Sequence, residues 1–116
     1  EDLGNNYSED SIKLFNDYID NVVGKEDAFI YNQKVFKKSF EDRLDWTRFF
    51  TEVLYYLTDV SSGNYFPGNN LVSKFDNWEI IRIISKIEDI LKYLKSNGNI
   101  ELILDKFVIE MRNIYE

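Results

Sequence analysis

At 116 residues, with 16% aromatic side chains, one proline and five glycines, the chain is sized for a single domain around one packed core and excludes extended disorder. It contains neither cysteine nor histidine, which excludes disulfides, zinc held by sulfur or nitrogen, and the Ser-His-Asp and Cys-His nucleophiles, leaving carboxylates, tyrosines or lysines for any catalysis. A net charge of −7 argues against nucleic acid, because binding it needs basic residues that displace phosphate counterions.

Residues 1–7 are polar and read as a frayed end. Ser8 then caps a first helix with Glu9 and Asp10 in its opening turn. Ile12, Phe15, Ile19 and Val22 repeat at steps of three, four and three, the spacing of one buried helical face. Gly24 ends the helix, and Asp10, Lys13, Asp17, Asp20 and Asn21 form its outer arc. Asp27 is the expected cap of a second helix running through Lys38, with Ala28, Tyr31, Val35 and Phe36 inward and the basic cluster Lys34, Lys37 and Lys38 on a solvated face. A third helix opens at Asp42 or Asp45. Trp46, Phe49, Phe50, Val53, Leu57 and Val60 make its inner face, and Asp45, Arg48, Glu52, Tyr55, Tyr56 and Asp59 its opposite arc.

A long loop follows at 61–74, made turn-rich by glycine, asparagine and proline. Its Tyr65 and Phe66 either fold back over the core or stand exposed as binding anchors. The fourth helix organises the rest: Asp76 and Glu79 have the spacing of a capping box. Ile80, Ile84, Ile87, Leu91 and Leu94 form its seam, which Trp78, Ile81, Ile83 and Ile90 widen into a broad apolar face. Gly98 is the expected left-handed stop. After a tight reversal Asn99 caps a last helix with Ile100, Ile103, Leu104, Phe107, Met111 and Ile114 inward. The expected architecture is all-α: one domain over 1–116, a bundle of about five helices ending in a long helical hairpin.

No Gly-rich phosphate loop is present, and no carboxylate pair falls on an inward face at a metal-binding spacing. The expectation is therefore a non-enzymatic protein without metal or cofactor. No apolar run approaches the roughly 20 residues of a membrane span, and no basic-then-apolar leader opens the chain, so a soluble, membrane-free protein is expected. The first 27 residues hold eight acids against Lys13 and Lys25. A basic protein partner is the matching expectation. The candidate binding surface combines Asp17 and Asp20 of the first helix, Asp45, Glu52, Tyr56 and Asp59 of the third, and Tyr65 and Phe66 of the loop, acids steering the partner and aromatics holding it. The same residues also suit plain solvation of a core edge.

The run Leu57-Thr58-Asp59-Val60, then Tyr65-Phe66-Pro67, then a capped helix with Ile80, Ile84, Ile87 and Leu91 resembles the C-terminal half of small helical immunity proteins of the colicin D type. The resemblance covers about residues 44–94. It implies a cytoplasmic protein that blocks the active site of a basic toxin domain, a nuclease, with carboxylates standing in for RNA phosphates; Asp59 and Tyr65 are the matched positions. A second resemblance is to the death-regulator fold of B-cell lymphoma proteins and their poxviral relatives. Asp45-Trp46-Thr47-Arg48 is similar to that family's Asn-Trp-Gly-Arg, and Tyr93-Leu94-Lys95-Ser96-Asn97-Gly98-Asn99 to its Trp-Ile-x-x-Asn-Gly-Gly. It implies an amphipathic death-motif helix bound in a groove lined by Phe49, Val53 and Leu57, with Arg48 pairing to its aspartate.

Overall fold

The computed structural model describes residues 6–63 and 74–115. Among them are five α-helices, α1 (Glu9–Val22), α2 (Ala28–Lys34), α3 (Arg43–Ser61), α4 (Asn77–Lys95) and α5 (Ile100–Tyr115), with a 3₁₀ turn at Phe36–Lys38 and no strand. The chain is an all-α bundle, as its periodicity predicts. Tyr65 and Phe66 lie outside the described residues.

α1 begins where Ser8 accepts from the Ser11 amide at 3.2 Å, satisfying one of the donors that an open helix start leaves unpaired. Phe15, Tyr18, Ile19 and Val22 are buried, while Ile12 is only half-buried. The second helix is a correction. It stops at Lys34, Val35 is exposed outside the helix with φ −121° and ψ −61°, and the Asp27 side chain makes no capping bond. Its buried positions are Ala28 and Asn32, followed by Phe36 in the 3₁₀ turn. Tyr31 is half-buried. Breaking the helix at Val35 lets Lys37 reach α5, where its ammonium lies 2.9 Å from Asp105. That carboxylate also accepts from the Asn32 side-chain amide at 3.1 Å, so one acid ties α2 and the turn to α5.

α3 buries Trp46, Phe49, Phe50, Val53, Leu57 and Val60 as their spacing predicts, together with Tyr56. α4 starts on the capping box, Glu79 N–H donating to Asp76 at 2.8 Å and Asp76 N–H to Glu79 at 2.9 Å. Its buried seam is narrower than its apolar composition. Ile80, Ile83, Ile87, Ile90 and Leu94 are buried and Ile84 and Leu91 half-buried, whereas Trp78 is 76% and Ile81 42% exposed. The arc that α3 and α5 cover takes in one residue every three or four, and the flanking side chains of the wide apolar face fall outside it.

The stop of α4 also differs from expectation. Asn97, with φ 64°, is the left-handed residue. The Gly98 amide donates to Tyr93 O at 2.7 Å and the Asn97 amide to Leu94 O at 3.4 Å, the paired bonds of a Schellman motif with asparagine in the glycine seat. Gly98 is required for space instead: a Cβ there would lie 2.9 Å from Tyr93 O and 3.1 Å from Ile103 Cδ1. Arg43, at the start of α3, donates to Leu94 O at 3.0 Å and to Gly98 O at 2.8 Å. A cation thus closes the carbonyl end of α4, where the helix dipole favours it, and fixes α3 and α4 as antiparallel neighbours. Asn99 caps α5 through the Leu102 amide at 3.2 Å.

The helices close a ring in which α4 packs on α3 and α5, and α1 packs on α3, α5 and α2. α1 and α4 are therefore diagonal to each other. One continuous cluster of buried side chains fills the centre.

The two residues of the α4–α5 turn separate by substitution. Gly98→Ala forces its new methyl group on the Tyr93 carbonyl and is expected to cost about 1–3 kcal/mol. Asn97→Gly removes the left-handed strain and is expected to leave stability equal or higher. Urea unfolding of both variants checks the assignment, and the reverse ranking would return the left-handed role to position 98.

Candidate functional site

The acidic surface divides between α1 and α3. On α1, Glu9, Asp10 and Asp17 are exposed and Asp20 is half-buried, its carboxylate 3.7 Å from the Lys74 ammonium. On α3 the candidate acids are committed to the fold. Asp45 pairs with Arg48 one turn along at 3.6 Å. Glu52 accepts from the Ser8 amide at 2.5 Å, and Asp59 accepts from the Tyr7 hydroxyl at 2.7 Å. The Tyr7 ring stands edge-on to Tyr56, centroids 5.5 Å apart. Tyr7, expected to be frayed, and the capping Ser8 are thus fastened to α3 by two carboxylates and an aromatic contact.

Tyr56 is a second correction: it is 2% exposed and belongs to the core. Lying three residues after Val53 and four before Val60, it shares their inward arc. Of the predicted surface, α1 supplies Asp17 to solvent and Asp20 as a half-buried acid beside Lys74, α3 supplies Asp45, Glu52 and Asp59 as half-exposed paired acids, and Tyr56 supplies nothing. Phe49, Val53 and Leu57 are buried in the core as well, so they line no open groove, and Arg48 is exposed beside Asp45.

Burial raises the pKa of four tyrosines. For Tyr7 desolvation is the largest cause, followed by its hydrogen bond to Asp59 and the charge of that carboxylate. Tyr18 is pushed well up by complete burial, with Tyr31 adding to it. Tyr31 is raised by desolvation and then by Asp17. Tyr56 is raised by burial, against a lowering hydrogen bond with Asn16. These phenols stay neutral at physiological pH and act as packing and hydrogen-bonding groups.

Shallow grooves on the described surface include two that bear on binding. One lies between α4 and α5, with Ile90, Tyr93, Leu102 and Ile103 among its lining residues and Lys86, Asp89, Lys106 and Glu110 contributing charge. The other lies between the 3₁₀ turn and the start of α5 and includes Lys37, Arg43, Trp46 and Glu101, but its two cations are already held by Asp105 and by the α4 carbonyls. Among the described residues no three carboxylates gather as metal ligands, and no helix is long and apolar enough to cross a membrane. Comparison with family models, curated proteins and solved structures finds no match to this chain.

Sequence reasoning missed Tyr7 because its partner Asp59 is 52 positions away. It missed Asp105 because the groups that meet there, Asn32, Gln33 and Lys37, lie some seventy residues upstream. Neither contact leaves a local pattern.

The raised phenols carry a pH signature. Each folded pKa lies above the ordinary 10, so the folded chain holds these protons more tightly than the unfolded one. Their contribution is complete below pH 10 and falls as pH rises beyond it. Thermal melts from pH 8 to 12 are expected to show a steep loss above about 10. Tyr7→Phe, which keeps the ring but not the ionisable hydroxyl, is expected to make that loss shallower.

Proposed function

We propose that the chain is a non-enzymatic protein-binding module that presents an acidic face to a basic protein, and that this partner is a toxin domain, a nuclease, which the chain neutralises by covering its active site. The observation that carries the reading is the outer face of α1, where Glu9, Asp10 and Asp17 stand exposed with Asp20 beside them. Exposed charge of one sign attracts an oppositely charged surface over about 10 Å at moderate salt and speeds encounter. The face is also firmly held. Ser8 caps the helix, Glu52 holds the Ser8 amide, and Tyr7 is fixed on Asp59, so little ordering opposes association.

Glu52 and Asp59 contribute field more than contact in this arrangement, since each already accepts from residues 7 and 8. The contact surface proposed is therefore Asp10 and Asp17, with Asp20, paired to Lys74, and the third-helix acids behind them. A toxin neutraliser of this kind acts in the cytoplasm of the cell that makes it.

The test is co-expression with basic nuclease domains of secreted toxins from the source organism. The unaltered chain is expected to restore growth and to bind with an affinity that falls as salt rises. The Asp10→Lys, Asp17→Lys double variant, both changes on solvent-facing positions, is expected to keep its melting temperature and lose roughly tenfold or more in affinity, chiefly through slower association. Protection by the double variant equal to that of the parent, with salt-independent binding, would overturn the reading.

A further inference from the structure

The outer face of the α4–α5 hairpin carries apolar side chains that the bundle leaves uncovered. Tyr93 is 45%, Leu102 65% and Ile109 48% exposed. Tyr93 and Leu102 line the same groove, over Ile90 and Ile103, and Ile109 follows Leu102 by seven residues, two turns on, so it continues the same ridge. The groove measures about 210 Å³, short of the roughly 300 Å³ at which small-molecule sites begin. It has room for one large side chain. Its sides carry charge of both signs: Asp89 and Lys86 from α4, Lys106 and Glu110 from α5. Lys106 also lies over the Tyr93 ring at 5.3 Å, and Lys86 reaches Glu110 at 3.2 Å.

We propose that this face docks a second copy of the chain in a two-fold dimer. Charge is the first argument. Residues 76–115 hold seven acids and six bases, a near balance that lets two hairpins approach. Most of the net −7 is carried elsewhere, as the eight acids and two lysines of the first 27 residues indicate. The second argument is shape. The patch contains both a ridge, Leu102 and Ile109, and the groove beside it, which is the self-complementarity that an isologous interface requires. A two-fold axis along the groove lays α4 of one copy over α5 of the other. Leu102 then enters the opposing groove near Tyr93, and Asp89 faces Lys106 of the second copy. A strongly basic or strongly acidic partner would meet one like charge on either side of the groove; a copy of the same mixed face meets only complements. The acidic face is not consumed, because α1 is diagonal to α4 in the ring.

Sedimentation velocity across a broad concentration range, on the unaltered chain, tests this. Its mass is expected to double with rising concentration, while Leu102→Glu and, separately, Ile109→Glu stay at monomer mass. Both positions face solvent, and an unchanged far-ultraviolet spectrum and melting profile at low concentration show that the variants fold. Asp89→Lys and Lys106→Glu are each expected to weaken the dimer tenfold or more, and the two changes in one chain are expected to restore it, since an acid again faces a base. Monomer mass at the highest concentration reached, a dimer indifferent to Leu102→Glu, or a failure of the double reversal to restore association would overturn the proposal, leaving the groove to another occupant or to none. Asp10→Lys with Asp17→Lys is expected to leave the dimer intact, so this result and the toxin-binding result stand or fall separately.

Discussion

The bundle depends on the aromatic cluster around Phe36. That side chain, presented by the 3₁₀ turn, lies 4.3 Å from Tyr18 of α1 and 5.2 Å and 6.0 Å from Trp46 and Phe49 of α3, centroid to centroid. Phe107 of α5 stacks on Tyr18 at 5.5 Å and meets Phe50 edge-on at 5.8 Å. Each such ring buries 150–250 Å², roughly 4–6 kcal/mol at 25 cal/mol per Å² before the entropy of ordering it. With no disulfide to assist, this aromatic contact holds α1, α3 and α5 to one centre. α4 joins differently, through its isoleucine seam and the Arg43 fork at its carbonyl end. α4 packs on both α3 and α5, and the side chains outside that covered arc stay in solvent, Trp78, Ile81 and Tyr93 among them.

The same dense packing strands some polar atoms. The Tyr18 hydroxyl and Asn32 Oδ1 are buried with no hydrogen-bond partner among the described residues, where an unpaired polar group costs about 1–3 kcal/mol. For Asn32 part of the return is visible: its amide nitrogen donates to Asp105, beside the Lys37 ion pair, and the shared carboxylate positions α2 against α5. Tyr18 offers only its ring, which touches Phe15, Tyr31, Phe36 and Phe107. Its stacking on the central cluster outweighs the orphaned hydroxyl.

Periodicity made the long helices legible and little else. In α3 the spacing from Trp46 to Val60 survives contact with the structure because every neighbour packs on the same arc. In α4 the apolar face is broader than the covered arc, so counting apolar residues overstated burial by including Trp78 and Ile81. α2 failed because its buried positions include a polar residue, Asn32, which no hydrophobic pattern can mark. At the α4 stop, the Asn-Gly pair suggests a left-handed glycine, whereas Asn97 takes that backbone and the role of Gly98 is steric. The site was legible as charge but not as contact. That α1 carries acids outward follows from its helical spacing; that Glu52 and Asp59 hold residues 7 and 8 depends on the three-dimensional placement of segments far apart in sequence.

This division of labour among the acids bears on what the surface can do. A carboxylate that already accepts an N–H or O–H from its own chain must give up that bond before it contacts a partner, and the exchange gains little. A carboxylate standing in water loses only solvent. On the proposed reading the α3 acids, and Asp20 beside Lys74, would act mainly by adding to the field, whereas Asp10 and Asp17 would add contact. α1 lies diagonal to α4, so the acidic face and the apolar hairpin groove open on different sides of the bundle, and filling one leaves the other accessible. Two copies joined through their hairpins would each retain a complete acidic face, and a basic partner would then bind one to one per chain whether the protein is single or paired.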